Sequence, residues 1–172
     1  MPVKKSKVIT TAKPHTIKKF ELIEMYIKAW AQKLMLNNAC NGLIFIDCMC
    51  NSGVYKDING NIVYGTPIRV ANALLDVART YSDKQVFLYF NDLNTARVEE
   101  LKKHLPPDER NFKIITLNED ATELLDTIGP QLKESSHYHY FLLYDPYNAN
   151  IEWRVLVPFF RYWGEVMINH AL

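Results

Sequence analysis

One stretch constrains the fold of this chain more than any other: a short apolar run that ends in an acid and a turn. Residues 43–46 are all apolar, a run too short for a helix and typical of a strand buried on both faces of a parallel sheet. Asp47 follows directly, then a run of mostly small residues that closes with Gly53, and Thr66-Pro67 marks a helix start. Strand, acid, turn and helix in this order are typical of a nucleotide-binding crossover.

Further apolar runs predict four more strands, separated by helical segments. The five predicted strands cover residues 43–47, 86–90, 112–117, 138–144 and 165–169. Because strands that alternate with helices pair in parallel through right-handed crossovers, helices should cover both faces of the sheet. We therefore expect a three-layer, Rossmann-like α/β fold with a mostly parallel sheet of about five strands in the order 3-2-1-4-5. Ligands would bind at the carboxyl ends, between the first and fourth strands.

The segments around these strands carry their own signals. Apolar residues recur at steps of three and four from Ile17 to Leu34, which predicts an extra N-terminal helix with Thr16 as N-cap. Residues 1–13 are expected to be a disordered basic tail before a domain spanning 14–172; the tail is either simply solvated or an arm that touches nucleic acid or an acidic partner. Residues 54–65 predict a small hairpin or lid. Thr66 is expected to cap the next helix, and residues 151–161 predict a helix interrupted by Pro158.

Composition excludes several classes of protein. With 172 residues, 48% hydrophobic content and a net charge of +1, the chain predicts one globular domain without a strong global field. No apolar run approaches the roughly 20 residues of a membrane span, and no secretory signal is present. Three closely spaced cysteines lack zinc-site spacing and favour a reducing cytoplasm, with Cys48 and Cys50 filling the turn rather than binding metal.

Four acids stand at or just after the predicted strand ends. They are Asp47, Asp92, Asp120 and Asp145. A buried carboxylate needs a partner, so acids at one edge of a sheet tend to lie in a crevice that holds a ligand. Each one taken alone is as easily explained as a helix N-cap.

A series of short motifs runs along the chain. They are His15 with Lys18, Tyr26 with Trp30, the D-C-M-C-N-S-G of residues 47–53, Gly65-Thr66-Pro67, and Asp145-Pro146-Tyr147-Asn148 followed by Ile151, Trp153 and Leu156. In these motifs the chain resembles class I methyltransferases, and more closely the three-Cys-motif partner protein (TcmP) family. The resemblance extends from His15 to Asn169. Class I enzymes usually have seven strands, so five predict a C-terminally truncated or minimal form.

The resemblance implies S-adenosylmethionine as cofactor. The turn, including Asn51 and Gly53, would wrap its methionine part with Asp47 facing the ammonium group. Asp92 would accept hydrogen bonds from the ribose hydroxyls, and Asp120 would contact the adenine amino group or cap a helix instead. Asn51 stands where a glycine is usual, and asparagine is the side chain that best tolerates positive φ. Cys48 and Cys50 are bulkier than the residues they replace, which predicts a narrower pocket.

A second part of the resemblance concerns the methyl acceptor. Asp145, Pro146 and Tyr147 are similar to the D-P-P-Y signature of enzymes that methylate amino groups on bases, with one proline missing. In such enzymes the acid and the proline carbonyl hold an amino group in line with the methyl, and the aromatic ring stacks on the base. A base within a duplex would have to be flipped out.

Two other readings compete with a methyltransferase. A non-catalytic Rossmann-like module could act through a protein partner such as a three-Cys-motif protein, and an uncovered last strand favours a homo-oligomer. A nuclease is less favoured, because Glu100-Leu101-Lys102 falls in a predicted helix. His137 and His139 alternate on a strand and favour a structural role over zinc binding, and the phosphate-loop motif is absent from the sequence.

Overall fold

A computed structural model describes residues 7–132, 136–146, 151–160 and 163–169. Its strands are β1 (Thr10–Thr11), β2 (Gly42–Asp47), β3 (Val54–Lys56), β4 (Ile62–Tyr64), β5 (Gln85–Asn91), β6 (Phe112–Leu117), β7 (Tyr138–Tyr144) and β8 (Gly164–Ile168). Its helices are α1 (Pro14–Met35), α2 (Thr66–Thr80), α3 (Thr95–Lys102), α4 (Ala121–Ile128) and α5 (Trp153–Leu156), with 3-10 turns at Gly129–Gln131 and Val157–Phe159.

Five strands form the central sheet, and every pair in it is parallel. The spatial order is β6-β5-β2-β7-β8, so β2 lies at the centre with β5 on one side and β7 on the other. The predicted five-stranded α/β sheet flanked by helices is therefore confirmed. The order in which the chain adds strands reverses at β2: β5 and β6 follow on one side, β7 and β8 on the other. The point between β2 and β7 is the place at which open α/β sheets leave a crevice.

Side chains that alternate along the strands divide the interior into two cores. On β7, Phe141 and Leu143 join the core beneath α1 and α2, whereas Leu142 and Tyr144 join the core beneath α4 and α5. Both cores continue across β2, which explains why residues 43–46 are apolar without alternation. The sheet is thus covered on both faces.

A second, smaller sheet lies beside the first. Val54–Lys56 and Ile62–Tyr64 pair antiparallel, which confirms the predicted hairpin, and Gly60 supplies the positive φ of +86° at its turn. Thr10–Thr11 adds in parallel to the hairpin, with Thr10 opposite Tyr55. The expectation that residues 1–13 form a disordered tail is therefore wrong for Thr10–Thr11, because pairing with a distant strand orders it; residues 1–6 lie outside the described residues.

Three predicted helix boundaries are corrected. The first helix begins at Pro14 with Lys13 at the N-cap position, because the fixed φ of Pro14 suits the first turn of a helix. Thr16 therefore lies inside the helix and is not its cap. The second begins at Thr66 itself with Gly65 at the N-cap position, because the Gly65 carbonyl accepts the first helical hydrogen bond from the Arg69 N–H. Around Pro158 the expected helix is only a short α-turn and a 3-10 turn, since proline removes a backbone donor.

Candidate functional site

A polar cavity of about 290 Å³ lies at the carboxyl ends of β2 and β7, beneath the start of α1 and the small sheet. Two of the four predicted acids, Asp47 and Asp145, line it together with Pro146. Its remaining wall residues are Thr10, Thr11, Thr16, Lys19, Phe20, Met49, Cys50, Asn51, Tyr55, Thr66, Pro67 and Leu143. The cavity therefore occupies the crevice that the reversal between β2 and β7 creates.

Asp47, the last residue of β2, is the most deeply buried acid in the cavity. Only 3% of the residue is exposed, and its Oδ1 accepts a 3.3 Å hydrogen bond from the Met49 N–H. Burial raises the pKa of Asp47 to about 7, and the nearby Asp145 and Asp92 add to the rise, while the Met49 N–H and Lys19 lower it. A carboxyl group with a raised pKa that lies in a cavity is a candidate for a functional site.

Asp145 follows β7 and is held by two residues from other elements. Lys19 Nζ of α1 donates to Asp145 Oδ2 at 2.8 Å, and Asn169 Nδ2, just after β8, donates to Oδ1 at 2.6 Å. Both members of the ion pair are partly exposed. Each Asp145 oxygen thus has a partner, and this clamp ties α1, β7 and β8 together over the cavity. Tyr147, the third predicted catalytic residue, lies outside the described residues.

The turn after β2 has the backbone conformation that its sequence predicts. Asn51 has a φ of 61° and Gly53 a φ of 67°, which confirms the expected positive φ at Asn51. The Ser52 N–H donates to Asn51 Oδ1 at 2.6 Å, so the asparagine side chain stabilises its own turn. Cys48 is packed in the core beneath α4, whereas Cys50 lines the cavity, so only one of the two cysteines reduces its volume.

Asp92 lies beneath this turn and outside the cavity wall. It is 3% exposed, its Oδ2 accepts from the Asn51 N–H at 2.9 Å, and its Oδ1 accepts from the Asn94 N–H at 2.8 Å. Arg97 Nη1 stands 3.7 Å from Oδ2 and balances the charge. As the turn stands, Asp92 therefore fastens the loop that lines the site and does not face the cavity itself.

Asp120 is exposed and caps α4. Its Oδ1 accepts from the Thr122 N–H at 2.8 Å and from the Glu123 N–H at 3.3 Å, and it does not line the cavity. Asp120 was expected either to contact adenine or to cap a helix, and its hydrogen bonds are those of a helix cap.

Several residues of the site were not among the residues predicted from the sequence. Lys19 is one turn after His15 on α1, and that spacing from the family-like histidine could have indicated it; His15 and Lys18 line a neighbouring apolar groove instead. Asn91 joins two loops, since its Nδ2 donates to the carbonyls of Cys48 and Glu119, both at 3.0 Å. Asn169, which bonds Asp145, and Thr10, which lines the cavity, are both far in sequence from Asp47, and no local pattern identifies them.

The cavity presents charges of both signs within a small space. Asp47 and Asp145 supply carboxylates, and Lys19 supplies an ammonium group. Two further wall residues, Thr66 and Pro67, are the first residues of α2. Because the N-terminus of a helix carries partial positive charge and α2 has no side-chain cap there, it can receive an anion. A ligand with adjacent cationic and anionic groups fits this arrangement.

The part of the chain that the structure describes holds no group of three or more histidine, cysteine or acidic side chains placed to bind a metal ion. Within the same residues, no helix combines the length and apolarity needed to cross a bilayer. Comparison with known proteins found no matching family model, no matching curated protein and no matching solved structure.

Proposed function

We propose that this chain is an S-adenosylmethionine-dependent methyltransferase of the three-Cys-motif partner type, acting on an amino group of a nucleic-acid base. The single observation that carries the proposal is the cavity at the carboxyl ends of β2 and β7, which contains a buried Asp47 and a second acid, Asp145. Support also comes from the strand order, with its reversal between those two strands, which agrees with a methyltransferase-like Rossmann fold.

The cavity fits the amino-acid end of the cofactor. The ammonium group would bind Asp47, and the carboxylate would lie at the start of α2, where Thr66 and Pro67 line the wall. At about 290 Å³ the cavity is just below the roughly 300–1,000 Å³ typical of ligand pockets, which suits part of the cofactor rather than all of it. The adenosyl part requires the turn at Asn51 to release Asp92, whose oxygens would then be free for ribose hydroxyls.

The residues around Asp145 would position the acceptor. When bound, the cofactor supplies a methyl group on a good leaving group, so the protein has mainly to orient the acceptor, an effect that can supply several kcal/mol. Asp145 would accept a hydrogen bond from the acceptor amino group, with the adjacent Pro146 carbonyl as second acceptor. Lys19 now donates to Asp145, so an incoming amino group would replace the lysine on Oδ2.

Calorimetric titration of the folded chain with S-adenosylmethionine tests the proposal. We expect saturable binding that tightens as the pH rises from 6 to 8, because Asp47, whose pKa is raised to about 7, becomes ionised over this range. Asp47→Asn should abolish the pH dependence and most of the affinity. Asp83→Asn, at an exposed acid away from the cavity, is the matched control and should bind as the wild type does. Absence of binding at pH 8, with the chain folded, would refute the proposal.

A non-catalytic module that acts through a protein partner is the second candidate. It is favoured by the observation that Asp92 and Asp145 both already accept hydrogen bonds from the protein's own groups. In that case the turn would stay fastened and the cofactor would produce no heat. Three buried, free thiols agree with a reducing cytoplasm as the site of action for either candidate.

A further inference from the structure

The middle strand of the small sheet places an aromatic residue in the cavity wall. β3 lies between β1 and β4, and Tyr55 at its centre is opposite Thr10 on one side and Val63 on the other. The preceding residue, Val54, is buried in the core beneath α1 and α2, whereas Tyr55 lines the cavity. Because its strand is paired on both sides, the backbone of Tyr55 is held more firmly than the edge strand β1.

Gly65 shows that the ring of Tyr55 occupies a defined place. The φ of −88° and ψ of −173° at Gly65 are values that any residue adopts, so backbone conformation does not require a glycine there. A Cβ on this residue, however, would stand 2.5 Å from Tyr55 Cε2 and 3.1 Å from Cδ2. One edge of the tyrosine ring therefore fills the space that a side chain would need, directly beside the start of α2.

A second ring lies against the first. The ring centroids of Phe20, on α1, and Tyr55 are 4.9 Å apart, at an interplanar angle of 41°. Phe20 is only 4% exposed, and it lines the same cavity. We call these two residues the aromatic wall. Three elements hold it in place: α1 through Phe20, β3 through the backbone of Tyr55, and the start of α2 through Gly65.

The charged groups around the cavity leave an excess of negative charge. Asp47 and Asp145 line it, and Lys19 is the one cationic side chain among the described residues that do so. Lys19 is bonded to Asp145 at 2.8 Å, which leaves Asp47 without a cationic partner of its own once it is ionised. Carboxylates together with aromatic rings suit an organic cation, because the face of an aromatic ring attracts positive charge.

We propose that the aromatic wall contacts the sulfonium group of S-adenosylmethionine and makes the site select this charged cofactor over the neutral S-adenosylhomocysteine. The inference rests on the proposed function, which assigns the ammonium group to Asp47 and the carboxylate to the start of α2. Only a short carbon chain joins those groups to the sulfur, so the sulfonium falls within the same small cavity. In S-adenosylhomocysteine the sulfur is an uncharged thioether, which loses the attraction to the rings and favours release of the product.

Calorimetric titrations at pH 8 with S-adenosylmethionine and with S-adenosylhomocysteine test the proposal. The two ligands share their amino-acid and adenosyl parts and differ in the methyl group and the charge on sulfur. We expect the wild type to bind S-adenosylmethionine more tightly. Tyr55→Leu should weaken S-adenosylmethionine binding by about three- to thirtyfold and S-adenosylhomocysteine binding by less than about twofold, since leucine keeps an apolar contact but lacks the ring.

Three further variants separate the ring from the rest of the small sheet. Tyr55→Phe keeps an aromatic face and should keep the preference for S-adenosylmethionine. Gly65→Ala adds the Cβ that would displace the ring of Tyr55, so it should weaken S-adenosylmethionine binding more than S-adenosylhomocysteine binding. Tyr64→Leu is the matched control, because Tyr64 belongs to the same hairpin and does not line the cavity. Both of its affinities should equal those of the wild type.

The outcomes distinguish a sulfonium contact from structural support. If Tyr55→Leu weakens both ligands equally, the ring only supports the small sheet and the proposal is overturned. Should Tyr55→Leu fail to fold, Gly65→Ala decides by the same comparison, since it retains the tyrosine. A wild type that binds both ligands equally well would overturn this inference and leave the proposed function standing. A wild type that binds neither ligand would refute both.

Discussion

Asp47 is a single residue whose burial lowers the stability of the fold at neutral pH. Burial at the end of β2 raises the pKa of its carboxyl from 3.8 to about 7. Between these two pH values the folded chain keeps a proton that the unfolded chain has released. The free energy of unfolding therefore falls as the pH rises through this range, by at most about 1.4 kcal/mol per unit.

The Asp47→Asn substitution checks this penalty. Because asparagine carries no charge to bury, we expect the variant to gain stability relative to the wild type as the pH rises from 5 to 8, by about 1–3 kcal/mol. Urea unfolding of both proteins at several pH values measures the difference. A difference that stays constant from pH 5 to 8 would show that Asp47 keeps an ordinary pKa.

Gly53 and Gly60 provide a matched pair for the turn that borders the site. Both have positive φ, but a Cβ at Gly53 would stand 3.0 Å from Ile68, Leu101 and Pro67, while a Cβ at Gly60 would meet nothing within 4 Å. Gly60→Ala should cost about 1–2 kcal/mol from backbone strain alone. Gly53→Ala should cost about 1–3 kcal/mol more, because the core side chains must also move. Equal losses in denaturant unfolding would show that packing at Gly53 is looser than the structure has it.

At the scale of elements, apolar runs locate the strands well and helix ends less well. The fourth predicted strand, residues 138–144, has the observed bounds, since residues 140–144 form a buried aromatic and aliphatic run. Helix starts depend on which carbonyl accepts the first helical hydrogen bond. At α2 it is the Gly65 carbonyl, which accepts from the Arg69 N–H, while the distant Gly53 carbonyl holds the Gly65 N–H in place. No local pattern around Thr66 contains that information.

The cap of α4 gives a test at this scale. Asp120 accepts hydrogen bonds from the Thr122 and Glu123 N–H groups, so Asp120→Ala should cost about 1 kcal/mol and Asp120→Ser much less, since serine is also a good N-cap. Thermal unfolding measures both variants. If Asp120→Ser instead lowered affinity for S-adenosylmethionine with the same stability, the acid would act as a ligand contact and not as a cap.

At the scale of the whole molecule, the small sheet is the least anchored part of the site. β1 has two residues and β3 and β4 three each, yet Thr10, Thr11 and Tyr55 roof the cavity. Short strands at the surface open readily, so we expect this roof to open more often than the central sheet does.

Hydrogen exchange measures the motion of this roof. In the free protein we expect the amides of the small sheet, including Ala12 N–H bonded to the Lys56 carbonyl at 2.8 Å, to exchange far faster than those of β2. Saturating S-adenosylmethionine should slow exchange in the roof and in residues 48–53, and leave β6 at the far edge unchanged. Uniform slowing over the whole chain would point to global stabilisation without closure of the roof.

The sequence alone determined the layering and the approximate strand positions of the central sheet, because strands buried in a parallel sheet are rich in apolar residues that can be read locally. It also indicated the positive φ at Asn51, since few residue types tolerate that conformation. Only the tertiary structure decided which acids face the cavity, that Lys19 and Asn169 hold Asp145, and that Thr10–Thr11 forms a strand. These features depend on contacts between residues far apart in the chain, and the geometry of such contacts leaves no periodic trace in the amino-acid order.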